Sequence, residues 1–299
     1  VKSLWLKIKD GIYKFFNFEF LPAKKKLVIL MSGGAMNCAY GAGFLSALSS
    51  FNLPKNTVII AASGNAGNAT YFASGQGEVG RDVWVEYLSG DRLINYRRRK
   101  ILDIDYLVDE IFKKQFPLDV AQMRNSNIEV IVPAICYETA YIKYFSSRDK
   151  NLDWFEVLRA AKALPIVYGK RVNIGGLHYF DTPYSSSWDV HIQKAESLGA
   201  THLIVVDLNK LYPNRASGWI GEFIARNFFF SSDDMYNPVH LQNRENYQKN
   251  TENQIYIRPK FLLDNLETDK AEIARLWDAG FNDAINNVNL KNLLDNLQK

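Results

Sequence analysis

Cysteine, histidine and long apolar runs are all scarce in this chain of 299 residues. Its two cysteines, Cys38 and Cys136, allow one bridge at most and match no zinc-ligand spacing. A disulfide scaffold and a metal site are therefore set aside, and a reducing, cytoplasmic setting is the simpler expectation. No cofactor motif is evident. Strand-sized runs such as Leu27 to Met31 fall far short of the ~18 apolar residues that a membrane span needs. The excess of basic over acidic residues is also small, 36 against 32, and acids are interspersed throughout, so no nucleic-acid partner is called for.

What is present suits a sizeable buried core, with 47% hydrophobic and 23% charged residues. Residues 1–24 read as an N-terminal helical extension ahead of one domain, 25–299. In that extension Leu4, Trp5, Ile8, Ile12, Phe15 and Phe16 share one helical side, and Lys7, Asp10 and Lys14 the other. Such a stripe suits either peripheral contact with an anionic inner-membrane surface through residues 1–20 or packing on the chain's own domain. The interspersed charges exclude a signal-peptide reading.

Beyond Pro22 and the Lys24-Lys25-Lys26 run, strand and helix patterns alternate. Leu27–Met31 and Thr57–Ala62 read as buried strands, each followed by a turn and a small-residue helix. Such units predict a largely parallel sheet with helices on its faces. "IEVIVPAICY" and "AYIKYFSS" read as two further strands, Trp154–Ala163 as a helix, and "VNIGGLHYFD" as a glycine loop and a short strand ending at Asp181. A helix over Trp188–Leu198, the strand "THLIVVDL", a strand-like "QIYIRP" and a helix opening at Asp269 complete the series. Glu272, three positions on, suggests a capping box.

The stretch "VIIAASGNAG" carries the chemistry of interest. A serine becomes a useful nucleophile on a sharp strand-to-helix turn, where small neighbours relieve crowding and backbone N–H groups await an oxyanion. Two registers compete. "SGNAG" centres on Asn65, which has no nucleophilic atom; "AASGN" centres on Ser63, flanked by Ala61 and Asn65 with Gly64 between. The second register is the better. Gly33 and Gly34 end the preceding strand and can offer N–H groups to an anion. Asp181 can supply the base.

These three points together resemble the patatin-like phospholipase family. "SGGAMNCAYGAGFLSAL" is similar to its glycine-rich oxyanion loop, "AASGNAGNATYFASGQ" to its elbow and "YFDTP" to its downstream aspartate motif. "LRAAKALPIVYGKRVNIGGLHYFD" looks like its alanine-leucine-proline approach to that aspartate. The resemblance spans roughly residues 27–285. It implies an α/β fold, a three-layer α/β/α sandwich with a mainly parallel sheet, and a metal- and cofactor-free Ser-Asp dyad, Ser63 and Asp181. It further implies that N–H groups around Gly33, Gly34 and Ala35 hold the oxyanion, and that phospholipids or other acyl esters are the substrates. The chain departs from the pattern in ways that matter. Ala61 and Asn65 replace both elbow glycines, which is expected to crowd the turn; Ala35, Asn37 and Cys38 replace two glycines and a basic residue; Thr182 and Pro183 follow the aspartate.

Rival readings rest on other features. A fold retained for lipid binding or scaffolding would suit the altered motifs. A triad hydrolase needs one of His178, His191, His202 or His240, none in an obvious catalytic loop. The G-x-G-x-x-G of a dinucleotide site is absent. Arg97 to Lys100 fits either lipid phosphates or a solvated face, and Trp219, Phe223 and Phe228 to Phe230 either an acyl pocket or a core.

Overall fold

A computed structural model describes residues 25–209 and 244–298. The extension at 1–24, His240 and the aromatic stretch at 219–230 lie outside these residues. Five strands pair in parallel: β1 (Leu27–Met31), β2 (Val58–Ala61), β3 (Glu129–Cys136), β7 (His202–Val206) and β8 (Gln254–Ile257), in the order β3-β2-β1-β7-β8. Three more, β4 (Ile142–Ser146), β5 (Val172–Ile174) and β6 (Leu177–Phe180), add antiparallel pairings beyond β3. The pattern of "VNIGGLHYFD" predicts one loop and one strand where β5 and β6 lie. Gly175 and Gly176 instead form the two-residue turn of a hairpin.

The central strands are continuous apolar runs because helices cover both faces. Alternation sorts their side chains: Leu27, Ile29 and Met31 enter the larger core, Val28 and Leu30 the smaller. The larger core lies under α1 (Cys38–Leu48), α2 (Gly64–Ala73), α3 (Tyr106–Gln115, wound as a π-helix), α4 (Trp154–Ala160), α6 (Lys270–Ile285) and α7 (Val288–Gln298). Trp188, Ile192 and Ala195, the last two from α5 (Ile192–Ser197), cover the smaller. The result is the expected α/β/α layering. Among the described residues, no helix is long and apolar enough to cross a membrane.

From β1 the chain proceeds to β2 on one side, while β7 lies on the other. A crevice at such a reversal of strand order is where open α/β sheets bind ligands. The carboxyl ends of β1 and β7 are tied there: Ser32 N–H donates to the Val206 carbonyl (3.1 Å), and Leu208 N–H donates to Ser32 Oγ (2.7 Å).

Helix α6 starts where expected, with a different cap. Asp269 Oδ1 accepts from Glu272 N–H (2.9 Å), but Glu272 turns to Arg275, and Glu267 takes the Asp269 N–H at 2.8 Å. Only half of a capping box forms. Asp269→Ala is expected to cost about 1 kcal/mol, read as a lowered urea midpoint with an unchanged denaturant slope.

Candidate active site

Ser63 joins β2 to α2 with φ 53° and ψ −126°, on the side of backbone space that non-glycine residues rarely enter. Holding a residue there costs on the order of 1–3 kcal/mol, so the surroundings must enforce it. They do so through asparagine. Asn65 Nδ2 donates to the Ser32 carbonyl at 2.7 Å, and Asn68 Nδ2 donates to the Cys38 carbonyl at 2.8 Å and to Asn65 Oδ1 at 2.9 Å. Trp84 Nε1 donates to Asn68 Oδ1 at 2.8 Å and completes the relay.

This arrangement corrects the expectation that Asn65 crowds the elbow. Its side chain fills a notch opened by Gly41 of α1, where an added Cβ would lie 2.0 Å from Asn65 Oδ1. Space lost at one missing glycine is regained at another, one helix away. Ala61, the other elbow substitution, is fully buried opposite Met31.

The glycine loop lies against the serine. An added Cβ on Gly33 would meet Ser186 Cβ at 2.5 Å and Ser63 Cβ at 2.9 Å. The expected trio of N–H donors needs revising, because Gly33 N–H already donates to the Ser186 carbonyl at 2.7 Å. Gly34 and Ala35 N–H groups meet no acceptor among the described residues. Ala35 holds a left-handed φ of 49°, which the 3₁₀ turn Ala35–Asn37 and the bond from Met36 N–H to the Asn265 carbonyl help fix. Asn37, where the family has a cation, anchors a distant segment instead: its Oδ1 accepts from Leu263 N–H (2.8 Å) and its Nδ2 donates to Asn265 Oδ1 (3.2 Å). Cys38 is a buried free thiol facing the N–H groups of Asn65 and Gly64. Burial pushes it up to about 12, so it stays neutral.

Asp181 follows β6 and is 1% exposed. Its N–H donates to the Ala163 carbonyl (3.1 Å), and its Oδ1 accepts from Ser185 Oγ (2.9 Å) and Ser186 Oγ (2.8 Å). The Ser63 hydroxyl and the Lys162 ammonium also favour its charged form. Burial raises the carboxyl to about 6, partly offset by the three hydroxyls and the lysine. Thr182 and Pro183, in place of glycine, open a tight turn in which Thr182 N–H donates to Ser185 Oγ (2.9 Å) and Ser185 N–H to Thr182 Oγ1 (3.2 Å).

Sequence reasoning missed Ser185, Ser186 and Lys162. The triple serine at 185–187 was the available signal for the first two; a lone lysine in an alanine-rich stretch gave none. The described histidines lie elsewhere. His191 is buried between the Tyr144 hydroxyl (3.0 Å) and the Ser185 carbonyl (3.1 Å), and desolvation lowers it to about 4, so it is neutral. His178 pairs with Glu138, and His202 contacts Thr201. No described histidine hydrogen-bonds Ser63.

Ser63 opens on a predominantly apolar cavity walled by Tyr71, Trp84, Leu93, Leu102, Phe112 and Leu266, among others. About 60 Å³ is available to the centres of water-sized molecules, a narrow slot rather than a broad chamber. Lys162 is the charged residue in its lining, and Ala35 and Gly64 border it beside Ser63.

Asn65→Gly would restore the family's elbow residue yet remove the donor to the buried Ser32 carbonyl. It is expected to cost about 1–3 kcal/mol with no gain in serine reactivity, checked by urea unfolding and covalent serine labelling. Gly41→Ala, which drives a methyl into Asn65, is expected to destabilise by a similar amount.

The patatin-like phospholipase model matches residues 29–191. The uncharacterized protein YjjU of Escherichia coli is 26% identical over 188 residues, 60% of this chain and 51% of that protein, so the chain spans about half the length of this curated relative. A crystal structure of VipD from Legionella pneumophila aligns over 92% of this chain and 67% of that one, with 14% identity and a TM-score of 0.49. With the matched segment covering more than half of its residues and containing the glycine loop, the Ser63 turn and Asp181, this chain belongs to the patatin-like phospholipase family.

Proposed function

We propose that this protein is a serine acyl-ester hydrolase acting on phospholipids or related lipid esters. The observation that carries this reading is Ser63, held at positive φ on the wall of an apolar slot, with its hydroxyl favouring the charged form of the buried Asp181 carboxylate. The acyl chain enters the slot and its ester carbonyl meets Ser63 Oγ. As the new C–O bond forms, the hydroxyl proton passes to Asp181 and the carbonyl electron pair moves onto oxygen. The free N–H groups of Gly34 and Ala35 are suited to receive that oxyanion. Collapse expels the alcohol, which takes the proton from Asp181. Water then releases the acyl group by the same steps, with Asp181 as base.

The surroundings suit a lipid surface. The apolar residues Ile94 and Leu102 line the slot and bridge to each other, and the segment between them carries the exposed Arg97, Arg98, Arg99 and Lys100. Tyr96, 65% exposed, donates to the Leu266 carbonyl at the slot's wall. These groups fit anionic headgroups beside the entering chain. Contact through residues 1–20 would add to this attachment. A second reading, lipid binding without turnover, is favoured by Cys38, whose sulfur faces the N–H groups next to Ser63.

A fluorophosphonate probe separates the two. Labelling and short-chain ester hydrolysis are expected in the wild type and lost in Ser63→Ala; an unlabelled wild type would leave only the binding reading. The base must be ionised, so kcat/KM is expected to fall about tenfold per pH unit below the Asp181 midpoint of about 6. Asp181→Asn should abolish that limb along with most activity.

A further inference from the structure

A buried lysine has a place in this site that the hydrolytic steps above do not use. Lys162 is 4% exposed and lies on the wall of the slot that Ser63 opens on. Its ammonium has three N–H groups, and one donates to the Leu158 carbonyl at 3.3 Å, in the last turn of α4. The Nζ also sits 5.7 Å from the centroid of the Phe112 ring. The backbone pins the lysine to the aspartate's position, because the next residue, Ala163, accepts the Asp181 N–H.

Capping the end of α4 would not require burial, since an exposed lysine does it without desolvation. Nor is the lysine absorbed into a conventional ion-pair network. Its neighbour Arg159 takes Asp105, Asp109 and Glu156 and does not line the slot. The groups facing Lys162 are the Leu158 carbonyl, the Phe112 ring, the Cys38 thiol and Asp181. Those facing Asp181 are the hydroxyls of Ser63, Ser185 and Ser186, with Lys162 as the cation; His191, behind Ser185, is neutral.

We propose that Lys162 is a positioning residue: its buried ammonium, on the shared wall, holds the Asp181 carboxylate ionised and ready to take the Ser63 proton. The proposal rests on the hydrolase reading and deepens it. The charges balance along the reaction. Asp181 and Lys162 start as a neutral pair; when the Ser63 proton reaches Asp181, the negative charge moves to the oxyanion while the ammonium stays. The buried site thus never carries net charge, which a low-dielectric slot would penalise. Burial also lowers Lys162 to about 8, so between roughly pH 6 and 8 both members of the pair are charged.

The test compares wild type, Lys162→Met and Lys162→Arg. In Lys162→Met the acid limb of kcat/KM is expected to move upward by one pH unit or more, with at least about a threefold loss at pH 6.5. The difference should vanish above about pH 8.5, where the wild-type lysine has itself lost its charge. Lys162→Arg should keep the wild-type limb. A uniform loss at every pH, or an unmoved limb, would overturn the proposal. Carboxyl ¹³C NMR, with the Asp181 signal identified by its loss in Asp181→Asn, reads the same coupling without turnover. An Asp181 midpoint unchanged in Lys162→Met refutes the lysine's role even if no ester is cleaved. Absent serine labelling with a shifted midpoint would instead refute hydrolysis and leave the pair standing. Should Lys162→Met fail to fold, Lys162→Gln carries the same comparison.

Discussion

The hydrogen bond from the Asn65 amide to the Ser32 carbonyl ties together the two turns on which the site depends. Ser32 ends β1 and Asn65 opens the helix after β2, so this one donor fixes the glycine loop against the serine turn. Strained backbone persists only where its surroundings over-determine it. Here a relay does so, from Trp84 through Asn68 and Asn65 to the ends of two adjacent parallel strands. A glycine at position 65 would leave the turn easier to form and less firmly held. The family pattern and this chain therefore meet the same steric demand differently: one omits the side chain, the other seats it over Gly41.

Electrostatics imposes the second constraint. A carboxylate as deeply buried as Asp181 would hold its proton at neutral pH without compensation. Two serines on Oδ1, the Ser63 hydroxyl and the Lys162 charge bring its midpoint to about 6, low enough to ionise and high enough to accept a proton. The tight turn begun by Thr182 and Pro183 delivers Ser185 and Ser186 to that oxygen. His191, neutral and clamped by Tyr144, holds the Ser185 carbonyl from behind. What looks in the sequence like decay after the aspartate is, in three dimensions, a different route to a supported carboxylate.

Much of the fold was legible because its strands are continuous apolar runs broken by turn residues. β1 falls on its expected residues, and β2, β3, β4, β7 and β8 within a residue or two of theirs. The hairpin of β5 and β6 was half-read, since three-residue strands leave too little periodicity to separate from a loop. In the candidate site, motif order alone singles out Ser63 and Asp181. Their support could not, because Asn65 to Gly41, Gly33 to Ser186 and Lys162 to Asp181 are contacts between segments far apart in the chain. The use of Gly33 N–H by Ser186 is likewise invisible in a string of letters; it depends on how the turn after Asp181 folds back.

Asn37 carries a consequence of another kind. By gripping Leu263 and Asn265, it fastens to the candidate site a stretch of chain well outside the 29–191 segment that defines the family, and Leu266 beside it forms part of the slot. Ser63 and part of the slot it opens on thus come from separate portions of the polypeptide. The shape of the slot can therefore be recast by editing the far portion while Ser63 and Asp181 stay untouched, provided the asparagine clasp and its neighbouring bonds from Met36 and Tyr96 survive.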